Sequence, residues 1–250
     1  MIFGVDISTT QLALILLGGF SLGVSKTGFP GLALINILVV ATIFGARESA
    51  GIILPLLVFC DLIVYPLFRK YASWRDILPL LWPTMIGLVI GYALLKVISN
   101  DVAAPAIGII ILIMMILQFA RQHRPDFLAD LPDSRAFRWG SGGAIGVSTA
   151  LANAAGPVYS IYALVRKMEK NRFLGIGARF FLLVNLIKIL PLLQLDLITT
   201  DTLRINALMV PGILVGLAAG KTLIRYVPQQ VFEWLLYAFS LIAAVRMIFF

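Results

Sequence analysis

Apolar stretches long enough to cross a bilayer recur along nearly the whole chain, and this constrains the fold more than any other feature. Residues 102–120 contain no charged side chain, and comparable runs follow one another from end to end. A soluble domain buries one core and has nowhere to hide so much apolar chain. Composition agrees, because 60% of the residues are hydrophobic and 13% charged, against about half and about a quarter in soluble domains. The excess has to face lipid. There the backbone must satisfy its own hydrogen bonds, which leaves helices or closed barrels. These runs are too continuously apolar for the alternation of barrel strands. The expected class is an all-α polytopic membrane protein.

About ten helical segments follow from the pattern of apolar runs. They cover residues 10–25, 30–45, 49–68, 77–97, 102–120, 139–152, 156–166, 171–193, 205–224 and 230–250. No basic residue precedes the first run and Asp6 stands before it, so it reads as part of the mature protein rather than a cleavable signal. The longest polar interruption, RQHRPDFLADLPDSRAFRW, divides the chain into a first transmembrane repeat (1–120), a linker loop (121–139) and a second repeat (140–250).

The two halves match. Gly23-Val24-Ser25 returns as Gly146-Val147-Ser148, and Pro30 and Pro157 open the following segments. Asp61-Leu62-Ile63 aligns with Asn185-Leu186-Ile187, and the pair Gly87/Gly91 with Gly216/Gly220. The offset drifts only from 123 to 129 residues, too steady for separate coincidences. Basic residues set the orientation. Thirteen flank one face of an alternating topology, among them Arg69, Lys70, Arg75, Arg138, Arg166, Lys167 and Arg172, while four (Arg47, Lys96, Arg204, Arg246) flank the other. The crowded face is expected in the cytoplasm of a bacterial-type inner membrane, with both termini outside. An odd number of segments per half then makes the second half enter from the opposite side, giving two inverted-topology repeats of five. The first two segments of each repeat look short or broken: residues 10–25 would reach roughly 24 Å as a helix, under the roughly 30 Å of hydrocarbon. Whether they span or form a re-entrant hairpin is open at this stage.

The remaining three basic residues, Lys26, Arg179 and Lys188, fall inside segments or their breaks. Lys26 lies in the first junction, GVSKTGFPG, between Ser25 and Thr27; the second junction, GVSTALANAAGP, carries Ser148, Thr149 and Asn153. A helix that begins inside the membrane aims unpaired N–H groups and a partial positive charge at its surroundings, which suits an anion. A lysine in an apolar break costs several kcal/mol, about 3 on insertion scales, unless it is paired, snorkelled or functional. Arg179 should sit about 10 Å past Arg172 along its helix and is a candidate second cation, or an acid's partner. Lys188 reads equally as an outward-snorkelling or a functional side chain. Asp61 is the most isolated acid, with Asn185 at the equivalent place; it pairs with Lys26 or Arg179, or carries a coupled proton. The glycine pairs read as close helix packing.

Other chemistries find little support. Cys60 is the single cysteine and His123 the single histidine, in a polar stretch, so no disulfide or Cys/His metal site is assembled. HExxH and GxxxxGK[ST] are missing, since GLAAGKT is one residue short. Neither an enzyme, nor a cofactor, nor nucleic-acid binding is expected, because the +8 net charge sits between apolar runs.

The duplicated junctions, the run KNRFLGIGARFFLLVNLIKI and the two-half layout resemble the TauE/SafE family of membrane permeases over essentially the whole chain. Some members carry a longer glycine run where this chain has SKTG and NAAG. The resemblance implies a small oxyanion or sulfur-containing organic acid, such as sulfite or a sulfonate, as cargo. The expectation is a secondary transporter working by alternating access, with Ser25, Lys26, Thr27, Ser148, Thr149, Asn153 and Arg179 on the anion. Export is the easier direction, since one charge crossing 100 mV gains about 2.3 kcal/mol. Import would need a coupling proton or sodium ion, with Asp61 suspected. Competing readings are an ion-coupled importer of a small anion or cation and a non-transport membrane assembly protein. A homodimer is compatible with the chain.

Overall fold

The computed structural model describes residues 8–29, 32–95 and 134–249, with isolated residues between 102 and 116. Among them the structure is helical, without strands. The helices are α1 (Thr9–Lys26), α2 (Ala33–Phe44), α3 (Ala46–Phe68) followed by a 3₁₀ turn (Arg69–Tyr71), α4 (Trp74–Leu95), α5 (Arg135–Ala152), α6 (Ala155–Val165), α7 (Lys170–Gln194), α8 (Thr200–Tyr226) and α9 (Gln229–Phe249). They agree with the apolar segments to within about five residues. The expected segment 102–120, most of the linker, His123 and Pro30 lie outside the described residues. Among the described residues, five helices are long and apolar enough to cross a membrane: the stretches Glu48–Tyr71, Trp74–Leu94, Lys170–Gln194, Thr200–Tyr226 and Gln229–Phe249.

Two starts lie outside the apolar runs because capping decides them. Helix α5 begins at Arg135, where the Ser134 hydroxyl accepts from the Phe137 N–H (3.0 Å). Helix α8 begins at Thr200, behind a reciprocal cap between Thr199 and Thr202. Such caps satisfy end groups that a helix cannot pair itself. The expected shortness of the second segments holds. Helices α2 and α6 have 12 and 11 residues, roughly 18 and 16 Å at 1.5 Å per residue. Neither length crosses roughly 30 Å of hydrocarbon.

The chain forms two compact units, residues 1–71 with 177–227, and residues 72–176 with 228–250. Each takes helices from both halves of the sequence. In unit 1, α1 packs on α8 by backbone approach. A Cβ at Gly19 would meet the Met209 carbonyl at 2.6 Å, one at Gly23 would collide with that of Ile213, and one at Gly216 with that of Phe20. Contacts advance together along both helices, so the two run parallel. In unit 2, α4 and α5 do the same. A Cβ at Gly146 would strike the Thr84 carbonyl, and one at Gly87 the Gly143 carbonyl, while the Thr84 hydroxyl bridges the Leu80 carbonyl (2.8 Å) and the Gly142 carbonyl (3.1 Å). The first helix of each half thus lies on the fourth helix of the other. Small residues allow this because, in lipid, helices associate by packing and hydrogen bonds rather than by the hydrophobic effect.

Helix α6 is buried along nearly its whole length. The Tyr159 hydroxyl donates to the Phe173 carbonyl (2.8 Å), its ring stacks on Phe173 (4.8 Å), and Phe173 meets Phe232 edge-on (5.3 Å). The cluster ties α6, the start of α7 and α9 together. Tyr159→Phe, which removes this hydrogen bond while leaving the ring in place, is expected to cost about 1 kcal/mol. A lowered thermal midpoint for purified protein is the check.

Candidate functional site

The buried charged residues among those described, Asp61, Arg179 and Lys188, lie in unit 1 together with the part-buried Lys26. Lys26 ends α1, where a cation also faces the negative end of the helix dipole. The chain leaves α1 through Gly28 at φ 132°, a conformation that disfavours any side chain. Lys26 Nζ lies 2.6 Å from Asp61 Oδ1 on α3, and the Asn185 amide of α7 donates to Asp61 Oδ2 at 2.7 Å. Both carboxylate oxygens are therefore engaged, and the two equivalent positions of the halves meet each other. Asp61 is 1% exposed. Of the readings open for it, pairing with Lys26 is what the geometry contains.

Unit 1 holds further cations. The Lys26 ammonium sits over the Phe181 ring at 5.3 Å, and the Arg179 guanidinium over the Tyr65 ring at 5.5 Å. Lys188 is buried at 1% exposure, so the outward-snorkelling alternative gives way: its side chain turns into the unit. Three basic side chains thus share the interior of unit 1 with Asp61, the one buried acid among the described residues. Charge held away from water costs several kcal/mol unless neutralised.

The hydroxyls at the first junction have another use. Ser25 donates to the Leu22 carbonyl and Thr27 to the Val24 carbonyl, both at 2.9 Å. Their protons secure the last turn of α1 instead of pointing at a ligand. The second junction lies in unit 2. There Asn153 closes α5 in the left-handed conformation (φ 53°), as a residue tolerant of that geometry does at a helix end. Thr149 is buried on the same helix, and the Ser148 hydroxyl, also buried, finds no hydrogen-bond partner among the described residues. Helices α2 and α6 begin without a side-chain cap, which leaves their first N–H groups to other acceptors.

Sequence reasoning passed over four residues here. Tyr65 and Phe181 provide the aromatic faces under the cations. Asn36 on α2 and Asn206 on α8 are buried, and neither side-chain amide has a hydrogen-bond partner among the described residues. Asn36 Nδ2 reaches α1, 3.5 Å from where a Gly18 Cβ would stand. The missed signal was an amide inside an apolar run, which is costly unless something binds it.

No curated protein and no solved structure gives a significant match to the chain. The family model described as Sulfite exporter TauE/SafE matches residues 12–247, almost the full length. Given that match, the apolar spans and the buried cations, the chain is a multi-pass membrane transporter and belongs to the sulfite exporter TauE/SafE family.

Proposed function

We propose that this transporter moves sulfite, a small sulfonate or a related sulfur-containing anion outward by alternating access. The observation that carries the reading is the gathering of basic side chains inside unit 1, where Lys26, Arg179 and Lys188 stand with Asp61, the one buried acid among the described residues. Asp61 acts as the resting counter-ion of Lys26. An anion that enters competes for the ammonium, and the ion pair re-forms as the anion leaves. The pseudo-equivalent junctions support an inverted repeat, since the first-on-fourth packing recurs in both units and Asp61 meets its counterpart Asn185. Ser148, Thr149 and Asn153 are the matching candidates of the second half. A cation substrate is poorly served, because both oxygens of the buried acid already accept hydrogen bonds.

The test is anion flux in liposomes holding purified protein, with sulfite, sulfate, a small sulfonate and acetate, with and without an imposed potential. Potential-driven sulfite or sulfonate flux without a pH gradient is expected. Arg179→Met should lower that flux by about 10–100-fold, the worth of a charge-assisted hydrogen bond. Wild-type flux in both Lys26→Met and Arg179→Met would remove the anion site. Flux that requires a proton or sodium gradient would replace uncoupled export by coupled transport.

A further inference from the structure

Unit 2 contains a cavity of about 570 Å³ at the end where α4, α5 and α7 begin and α6 stops. Arg75, Arg138, Arg166, Lys167 and Arg172 line it, with Asp76 and Glu169 as the only acids among the described lining residues. Asp76 is committed elsewhere in part: it accepts from the Ser73 N–H and hydroxyl, each at 2.7 Å, and meets Arg172 at 3.0 Å. Among the described lining residues, five basic groups stand beside two acids. Three helix N-termini add their partial positive ends. We propose that this cavity is a binding site for an anion bearing a phosphoryl group, separate from the transported cargo.

Two features favour such a ligand over a small inorganic anion. The volume lies within the 300–1,000 Å³ typical of sites for organic ligands, and Pro79, Tyr162, Met168 and Ile176 give the cavity an apolar wall beside its charged one. Four of the five bases are arginines, whose planar fork suits phosphate oxygens and whose clusters at one membrane face suit phosphoryl headgroups.

Lys167 supplies an independent observation. It sits just past α6 with φ 49°, its N–H bonded to the Leu164 carbonyl (3.0 Å) and the Met168 N–H to the Ala163 carbonyl (3.0 Å). This helix ending normally carries glycine, because a side chain disfavours the left-handed conformation. The two other non-glycine residues of positive φ among the described residues are Asn153 and Asp196, types that tolerate it. A lysine there forgoes stability, and a ligand in the cavity it lines explains why.

The experiment follows the thermal midpoint of the purified full-length protein in neutral detergent. The probes are inorganic pyrophosphate, phosphatidic acid in mixed micelles, phosphatidylcholine as a zwitterionic control, and sulfite. A ligand that binds only the folded state raises the midpoint, so a rise of several degrees is expected with pyrophosphate, phosphatidic acid or both. Pyrophosphate alone would identify a soluble phosphate ligand, phosphatidic acid alone a lipid headgroup, and both the phosphoryl group itself. Arg138→Gln with Arg166→Gln should weaken the active probe at least about tenfold. Should that variant fold poorly, Lys167→Gly gives the sharper result, with a higher midpoint without probe and about tenfold weaker probe binding. The proposal is overturned if neither phosphoryl probe exceeds the zwitterionic control, or if Lys167→Gly binds the probe like wild type.

Discussion

Lys26→Met is expected to destabilise the protein by about 3–5 kcal/mol, and adding Asp61→Asn to return most of that loss. The single change leaves the Asp61 carboxylate at 1% exposure with the Asn185 amide as its remaining hydrogen-bond donor among the contacts described. A buried ion that loses its partner carries the full desolvation cost, whereas a neutral pair in the same place does not. Asp61→Asn alone should destabilise as well, because it leaves the Lys26 ammonium without its carboxylate. Thermal unfolding of the two single variants and the double in one detergent forms a double-mutant cycle. Transport separates the two roles of Lys26, for the double variant should fold like wild type and still fail to carry the anion. Equal stability of all four proteins would remove the ion pair as a structural element.

Gly216→Val should be nearly as damaging, at about 3 kcal/mol or more. Its Cβ would collide with the Phe20 carbonyl, which belongs to the backbone and cannot rotate away. The whole α1 and α8 contact would have to open, including the approaches at Gly19 and Gly23, and small gaps forfeit much of the dispersion energy along an interface. Gly143→Ala is the control. A Cβ there meets nothing within 4 Å, and the change from glycine to alanine inside a helix gains up to about 1 kcal/mol. Size-exclusion profiles and thermal midpoints should separate the two variants clearly. Indistinguishable behaviour would mean that α1 and α8 do not approach as closely as the glycine stripe implies.

The glycine pairs show how sequence and structure divide the information. Gly87/Gly91 and Gly216/Gly220 were legible as packing positions, since spacing of four places two small residues on one helix face. Their partners were not. Gly216 meets Phe20 and Gly87 meets Gly143, at separations no local pattern encodes. The site divides similarly. Lys26, Asp61 and Arg179 stood out because each is costly in an apolar run. Ser25 and Thr27 also stood out, yet their protons serve carbonyls one turn back, the common local habit of hydroxyls at helix positions. Asn36 and Asn206 drew no notice because an amide carries no charge, although its burial costs free energy in the same way.

By itself the sequence determined the membrane class, the positions of the described helices, the internal match between residues 23–91 and 146–220, and the basic residues within the spans. These follow from properties of single residues and short windows: apolar length, capping side chains, small-residue spacing and the cost of a charge in lipid. Only the tertiary structure decided that first helices lie on fourth helices across the halves, that Asp61 holds Lys26 and Asn185 at once, and that Lys188 turns inward. It also decided that Arg75, Arg138, Arg166, Lys167 and Arg172 surround one cavity. Periodicity tells which face of a helix is covered, but the identity of the covering residue depends on contacts between chain positions tens to hundreds of residues apart, and these exist only once the helices have packed.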